Sequence, residues 1–522
     1  MITEELRKYV RNSLSEGIHP GEIERTLRTT GWAKEDVCSV LENCVVKKKS
    51  AILDRGYYKS RIGIFTLVAL VLVLAGVTLY LWTDRLDLAN KNDQRVREFY
   101  TKLSGSQVAF TDAGELVFPD ERKFRDQKNA YIENRASFLE ADLRTMRLTL
   151  YEKGIASTSV AILTKGKGRS WWETPTGDYR VLGKSVNAYS SIGNVWMPYS
   201  IQFYGNYLIH GWPHSDDGTP VPQGYSGGCI RLSTEDAQGV YNFAKVGMPV
   251  LVLEDLEKLD FGMLEPKSTH SDLPLVSAAS FLLTDLSSGE TIVEKMNDKK
   301  LPIASLTKLM TAVVAHEVIY LGKTIKVTKG MLASVAQVFR PVAGDGYIGL
   351  DLLYPLLMQS SNDVANVLSG FVGDETFVRN MNAKAFSLQM NDTQFADPSG
   401  ISPQNISTAK DLGKLLQYIY YKRPFLFDIS RGVAFENVGL IKIGETVPIA
   451  DLKNFNEFVG QPDLIGIKNG STIAAKQTMA SVWNIHTEKG DVPVAIIVLG
   501  SNDRKKDTEA LLQWVKKNFA VL

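Results

Sequence analysis

The sequence predicts a multidomain chain: a small α-helical N-terminal bundle, one transmembrane helix, a mostly β domain and a final α/β domain. Three observations predict it. At 522 residues the chain exceeds one ordinary domain and suggests about three or four units. An uncharged apolar run separates a short N-terminal part from a long body. Within that body the apolar period changes from helical to alternating, then to a strand–helices–strands order.

Composition is that of folded protein, 44% hydrophobic and 22% charged. The 59 basic and 58 acidic residues leave a net charge of +1, with no basic footprint, so no nucleic-acid partner is expected. Three cysteines cannot build a disulfide framework. Cys38 and Cys44 precede the apolar run and Cys229 follows it alone. A lone thiol in an exported body is more often kept for chemistry than for packing.

Residues 1–46 read as a cytoplasmic bundle of three short amphipathic helices. Ile2, Leu6, Val10 and Leu14 recur at helical spacing. A second helix opens at Pro20, with Ile23 and Leu27 inward and Gly31 past its end. The third offers Val37, Val40, Leu41 and Cys44. A basic linker, 47–61, precedes the transmembrane run 62–83, whose length of about 22 residues suits ~30 Å of hydrocarbon. Tyr80 and Trp82 fit an interfacial belt. Lys47, Lys48, Lys49, Arg55, Lys59 and Arg61 against Asp54 place the N-terminus in the cytoplasm and the body outside the plasma membrane.

Residues 84–137 read as a helical stem, with helices over 93–103 and 121–139. The runs 146–151, 179–183 and 199–203 then alternate like strands, and 249–253 closes a mostly β domain over 138–258. A Pro- and Ser-containing linker, 259–274, leads to the last domain, 275–522. There a strand at 280–285 is followed by a helix at 305–316 and further helices. Late strands at 464–468, 477–483 and 493–499 and a helix at 506–519 finish it. A sheet built from the chain ends around a helical insert fits this order.

Two residue sets carry chemistry. In the first, His210 ends the run Asn206-Tyr207-Leu208-Ile209-His210, and Cys229 follows Ser226-Gly227-Gly228 in an irregular loop. A neighbouring imidazole would raise the thiolate fraction of a cysteine. The N–H groups of Gly228 and Cys229 would hold an oxyanion, each such donor being worth ~3 kcal/mol. A structural histidine beside a buried cysteine remains the plain alternative. His210, His214 and Cys229 lack a fourth ligand and Pro213 prevents a helical pair, so no metal is expected.

The segments Thr174-Pro175-Thr176-Gly177-Asp178-Tyr179, Ile209-His210-Gly211 and Ser226-Gly227-Gly228-Cys229-Ile230-Arg231-Leu232 resemble the L,D-transpeptidase signature, over about 141–254. The resemblance implies that Cys229 attacks the third-residue carbonyl of a tetrapeptide stem, and that a neighbouring stem amine resolves the thioester. His210 would be the base and Arg231 a contact for substrate carboxylate, with Ser226 and Gly228 on the substrate side. Gly227 stands where many members have a second histidine.

In the second set, Ser305 and Lys308 stand three apart on one helix face. A partly desolvated lysine can accept a serine proton. Ser360-Ser361-Asn362 and Lys468-Asn469-Gly470 lie downstream. With Asp345 and Phe395-Ala396-Asp397-Pro398-Ser399-Gly400 they resemble the serine D-alanyl-D-alanine carboxypeptidases of the penicillin-binding group, with its α/β penicillin-binding/β-lactamase-like serine transpeptidase fold, from about 277 onward. The resemblance implies Ser305 as nucleophile and Lys308 as base. Ser360 and Asn362 would relay protons and hold the substrate amide, and Lys468 would face the terminal carboxylate. It also implies β-lactams as covalent inhibitors and no cofactor. Asn469 replaces a threonine whose hydrogen bond to a carboxylate is worth ~1.5–3 kcal/mol, or roughly 10- to 150-fold in rate.

Both resemblances imply peptidoglycan stem peptides as substrate. Trimming pentapeptides would supply tetrapeptides to the cysteine site, and the tether would raise their local concentration. Two other readings stand beside this one. The chain could be a peptidoglycan-binding scaffold with one or both sites inactive, or the serine site could act as a D,D-endopeptidase.

Overall fold

The computed structural model describes residues 4–16, 18–50, 121–168, 172–254, 264, 267, 271–332, 339–433, 442–443, 447–448, 451–488 and 490–519. The expected transmembrane run 62–83 and most of the expected stem lie outside them. Among the described residues no helix is long and apolar enough to cross a membrane.

In the N-terminal unit, α1 (Glu4–Ser15), α2 (Pro20–Thr29) and α3 (Lys34–Ser50) surround one small core. Leu6, Val10, Ile23, Leu27, Val37, Val40 and Leu41 fill it. His19 caps α2 by accepting the Gly21 N–H at 3.2 Å, just before the Pro20 that suits a first turn.

The second unit opens with α4 (Glu121–Glu133), which ends six residues short of the expected 139. Arg135 takes φ 51°, and the N–H groups of Arg135 and Ala136 bond back to Ile132 and Tyr131 at 3.0 and 2.8 Å. That left-handed cap stops the helix and releases Phe138–Asp142 as strand β1. Nor does α4 stand off the body as a stem. Its Tyr131 hydroxyl donates to Asp178 at 2.6 Å, its Lys128 pairs with Glu140 at 2.7 Å, and Phe124 is buried.

The β domain continues with β2 (Arg147–Glu152), β3 (Ile155–Ala161), β4 (Gly177–Arg180), β5 (Gly183–Ser190) and β6 (Val195–Tyr204). Then come β7 (Tyr207–His210), β8 (Ile230–Arg231), α5 (Thr234–Phe243) and β9 (Pro249–Leu253). Two sheets, ordered β3-β2-β1-β9-β4 and β5-β6-β7-β8, enclose Leu139, Leu148, Tyr179, Ile201, Ile230 and Val250. The expected single strand at 179–183 is split: Tyr179 and Arg180 end β4, Gly183 starts β5, and the chain crosses between the sheets at 181–182. The Val181 N–H bonds to Met248 in front of the first sheet, and the next N–H, of Leu182, bonds to Gln202 in the second.

The serine domain begins with β10 (Ser280–Asp285) and β11 (Thr291–Lys295). Its helical part comprises α6 (Thr307–Val318), α7 (Gly349–Met358), α8 (Asn362–Val372), α9 (Asp374–Ser387), α10 (Ala409–Lys422) and α11 (Phe425–Arg431). It closes with β12 (Leu464–Thr472), β13 (Lys476–Thr487), β14 (Gly490–Ser501) and α12 (Arg504–Asn518). The antiparallel sheet runs β11-β10-β14-β13-β12. Alternation splits its side chains. Ala480, Val482, Ala495 and Ile497 join the helical core, while Met479, Val494, Ile496 and Val498 pack on Leu511, Leu512 and Val515 of α12.

The β domain and the serine domain meet around buried charge. Glu317 of α6 pairs with Lys384 at 3.0 Å and Arg423 at 2.9 Å, all fully buried. Burial alone would raise the Glu317 pKa, but the two cations hold it below the usual carboxylate value. The Lys384 ammonium lies 3.9 Å from the Tyr418 ring and 3.3 Å from the Tyr179 hydroxyl of the β domain. Replacing Glu317 by Ala strands two buried cations and should cost about 3–5 kcal/mol. Urea denaturation of the full chain would measure it, and an unchanged midpoint would refute the role given to this cluster.

Candidate active sites

Ser305 lies in a one-turn 3-10 segment, Ala304–Leu306, that feeds directly into α6. Ala304 takes φ 48°, and Gly400 backs it so closely that a Cβ there would lie 2.0 Å from the Ala304 carbonyl oxygen. One helical turn on, the fully buried Lys308 donates to Ser305 Oγ at 3.1 Å, to Asn362 Oδ1 at 2.7 Å and to the Ser399 carbonyl. Burial pushes the Lys308 pKa down to about 7, against the opposing pull of Asp397. A lysine so placed is substantially neutral near neutral pH and can take the serine proton.

Asp397 organises the turn that supplies one of those acceptors. Its carboxylate accepts from Ser399 N, Ser399 Oγ and Gly400 N at 2.7 Å, from Ser402 N at 2.8 Å and from Asn405 Nδ2 at 2.6 Å. This aims the Ser399 carbonyl at Lys308. In the sequence the signal for this role is the turn chemistry of Asp397-Pro398-Ser399-Gly400.

Asn362 starts α8, whose cap is Ser361, accepting the Val364 N–H at 3.3 Å and donating to Phe339 O at 2.8 Å. Ser360, expected to relay protons, is bonded to neither Ser305 nor Lys308. Its hydroxyl is buried without a partner among the described residues, on a backbone with φ 60°. Such strain, ~1–3 kcal/mol for a residue other than glycine, clusters at functional sites.

The β12 strand brings Lys468 and Gly470 onto the helical face, opposite Ala480 and Thr478. A Cβ at Gly470 would lie 2.7 Å from the Ser305 nitrogen, so only glycine lets this strand approach Ser305 so closely. Lys468 is wholly buried, and burial, then repulsion from Lys308, holds its pKa well below that of a free lysine. Asn469, which stands where the resemblance has threonine, has one N–H committed to Phe455 O at 2.9 Å. Its oxygen accepts from Lys468 at 3.4 Å. Its primary role here is therefore to tie β12 to the 455–456 segment.

At the cysteine site, β7 and β8 run parallel with Ile209 opposite Ile230 and His210 opposite Arg231. The two isoleucines enter the core, so His210 and Arg231 share the other face, and Cys229, two before Arg231, emerges on it too. The His210 Nδ1 bonds to the Gly211 carbonyl at 2.6 Å, which puts its proton there and leaves Nε2 as the acceptor. Burial lowers the His210 pKa to about 4, so it is neutral at pH 7.

Two expectations are corrected here. The thiol does not bond to His210; it points to the Asn206 carbonyl at 3.7 Å. Burial raises its pKa, with a backbone hydrogen bond at Leu208 and the Arg231 charge opposing, so the resting cysteine is a protonated thiol. Nor is the Gly228 N–H free for an oxyanion, because it donates to Ser226 Oγ at 3.1 Å, and Ser226 in turn donates to the Cys229 carbonyl. Ser226 and Gly228 shape the loop. Gly228 has φ 105°, and a Cβ there would strike the Tyr207 ring at 2.4 Å.

Arg231 is half-buried, its guanidinium 5.8 Å from the Trp212 ring, and its Nε is buried without a partner among the described residues. Beside it opens a groove of about 940 Å³ lined by Leu163, Thr164, Trp212, Val221 and Tyr225. These lining residues and Asn206 carried no signal in the sequence, because three separated loops bring them together.

A family model of the L,D-transpeptidase catalytic domain matches residues 136–252, and one of D-alanyl-D-alanine carboxypeptidase matches residues 267–503. A D-alanyl-D-alanine endopeptidase of Escherichia coli is 37% identical over 153 residues, 28% of this chain and 49% of its own. The D-alanyl-D-alanine carboxypeptidase DacC of Escherichia coli is 28% identical over 264 residues, 47% of this chain and 62% of its own. The D-alanyl-D-alanine carboxypeptidase DacB2 of Mycobacterium tuberculosis is 31% identical over 213 residues, 40% of this chain and 70% of its own. The chain thus spans about half the length of the endopeptidase it matches and more of the carboxypeptidases. By its serine domain the chain belongs to the D-alanyl-D-alanine carboxypeptidase family, and it carries an L,D-transpeptidase catalytic domain ahead of that domain.

Proposed function

We propose that this protein is a membrane-anchored, bifunctional peptidoglycan enzyme acting outside the plasma membrane. The observation that carries the reading is the buried Lys308 Nζ 3.1 Å from Ser305 Oγ, in a chain that also sets Cys229 on the same sheet face as a neutral His210. The 62–83 run would be the anchor.

At the serine site, neutral Lys308 takes the Ser305 proton as Oγ attacks the carbonyl between the last two D-Ala residues of a pentapeptide. The terminal D-Ala leaves with a proton, and water hydrolyses the ester to free the tetrapeptide. The arriving carboxylate would restore the proton that burial disfavours on Lys468. At the cysteine site, the thiol turns from Asn206 and gives its proton to His210 Nε2. Sγ attacks the third-residue carbonyl, and D-Ala leaves as the amine, taking the proton back. A neighbouring stem amine then breaks the thioester, forming the cross-link and regenerating the thiol. Arg231 suits a substrate carboxylate, since no acid pairs with it among the described residues. β-Lactams would acylate Ser305, and a carbapenem Cys229.

A second reading, D,D-endopeptidase action by the same serine, is favoured by the 37% identity to a D-alanyl-D-alanine endopeptidase. Mass spectrometry of muropeptides after incubating the full chain with pentapeptide-rich wall tests both. The expected products are tetrapeptides, lost in Ser305→Ala, and cross-links between third-position residues, lost in Cys229→Ala. Loss of D,D-linked dimers would favour the endopeptidase. If wall is retained but nothing changes, the scaffold reading replaces this one.

The lowered pKa of Lys308 gives a second test. The proton must be absent for it to act as base, so acylation of Ser305 by labelled penicillin should rise as pH passes about 7 and level off above. Lys308→Ala should slow acylation by about 10²–10⁴-fold. A rate independent of pH across that range would count against Lys308 as the base.

A further inference from the structure

The two segments that flank Cys229 are both anchored in the serine domain. One is the turn between β6 and β7. Its Asn206 carbonyl receives the thiol at 3.7 Å, while the Asn206 side chain donates to the Val318 carbonyl at 2.8 Å. Val318 ends α6, the helix that begins beside Ser305. Gly205 seats the turn there, since a Cβ on it would lie 2.8 Å from Val318 Cγ1 and 3.2 Å from the Glu317 carbonyl.

The other segment is 172–174. The Thr174 hydroxyl donates to the Gly228 carbonyl at 2.9 Å, next to the nucleophile, and accepts the Gly166 N–H at 3.0 Å. Its neighbour Glu173 is buried and paired with Lys422, the last residue of α10, and Trp172 packs on the serine-domain core. Lys422 also pairs with Glu254 at 2.9 Å. Glu254 holds Lys165, whose carbonyl accepts the Ser226 N–H at 3.0 Å. Every support of the Ser226–Cys229 loop named here leads within a few contacts to the serine domain.

We propose that the serine domain is a working part of the cysteine site, with Lys422 and Asn206 as positioning residues for Cys229. Lys422 holds the segment that cradles Gly228. Asn206 transmits the position of α6 to the thiol. The inference rests on reading Cys229 as the nucleophile, but its test needs no turnover.

Iodoacetamide alkylation of the full chain, read at Cys229 by mass spectrometry over a range of pH, reports thiol reactivity and its pH midpoint. Labelled-penicillin acylation of Ser305 runs alongside as the control for folding. Arg231, His210 and Tyr207, the ionisable groups around the thiol, are untouched in every variant. Lys422→Met and Asn206→Ala should each change the alkylation rate by about fivefold or more, or displace its midpoint. Ser305 acylation should stay within about twofold, and Lys422→Arg, which keeps the charge, should lie nearer wild type than Lys422→Met.

Cys229 profiles within about twofold of wild type in both loss variants overturn the proposal. If Lys422→Met also abolishes Ser305 acylation, Asn206→Ala decides alone by the same criterion, because it leaves every buried ion pair intact. Altered alkylation with no cross-links in the muropeptide assay would sink the transpeptidase reading and leave this coupling standing.

Discussion

Glu317 lies at the end of α6 with Lys384 and Arg423 against its carboxylate and no access to water. Taking three charges out of solvent costs several kcal/mol per ion, and the arrangement holds only while all three remain together. The aromatic rings of Tyr179 and Tyr204, from the β domain, close one side of it, within 6 Å of the Lys384 ammonium. Separating the domains would therefore open the cluster as well as the apolar contact. The relation of the two candidate sites follows from this contact. Helix α6 begins just after Ser305 and bears on the cysteine turn at its other end.

Desolvation acts in opposite senses on Lys308 and Cys229. At the serine site it is imposed on the lysine, and an ammonium loses stability on burial, so Lys308 falls to a pKa where it can accept a proton. At the cysteine site it falls on the thiol itself, and a thiolate is the form that burial disfavours, so the resting thiol keeps its proton. His210 is likewise held neutral. The serine site is thus poised at rest. The cysteine site holds a neutral acid and a neutral base that are not yet hydrogen-bonded, a looser geometry common before substrate arrives.

Glycines set how close the backbones come. Gly470 admits β12 to the Ser305 nitrogen, Gly400 backs Ala304, and Gly228 clears Tyr207. Gly228 and Gly470 stood out in sequence as members of motifs, but their steric reason lies in partners tens or hundreds of residues away.

Local pattern determined much of this protein in advance. The i, i+3 spacing of Ser305 and Lys308 needs only a helix, and alternation marked β2 because successive side chains of a strand point to opposite faces. The same pattern misjudged 134–139, where a left-handed Arg135 ends α4, and 179–183, where the chain changes sheets. Tertiary structure alone decided which polar groups were already occupied. The N–H of Gly228, one N–H of Asn469 and the thiol of Cys229 each found a partner that sequence spacing cannot specify. It also decided that Glu173 would meet Lys422 across nearly half the chain. Residue types and short spacings encode chemical capacity, whereas hydrogen bonding and burial between distant segments exist only once the chain has packed.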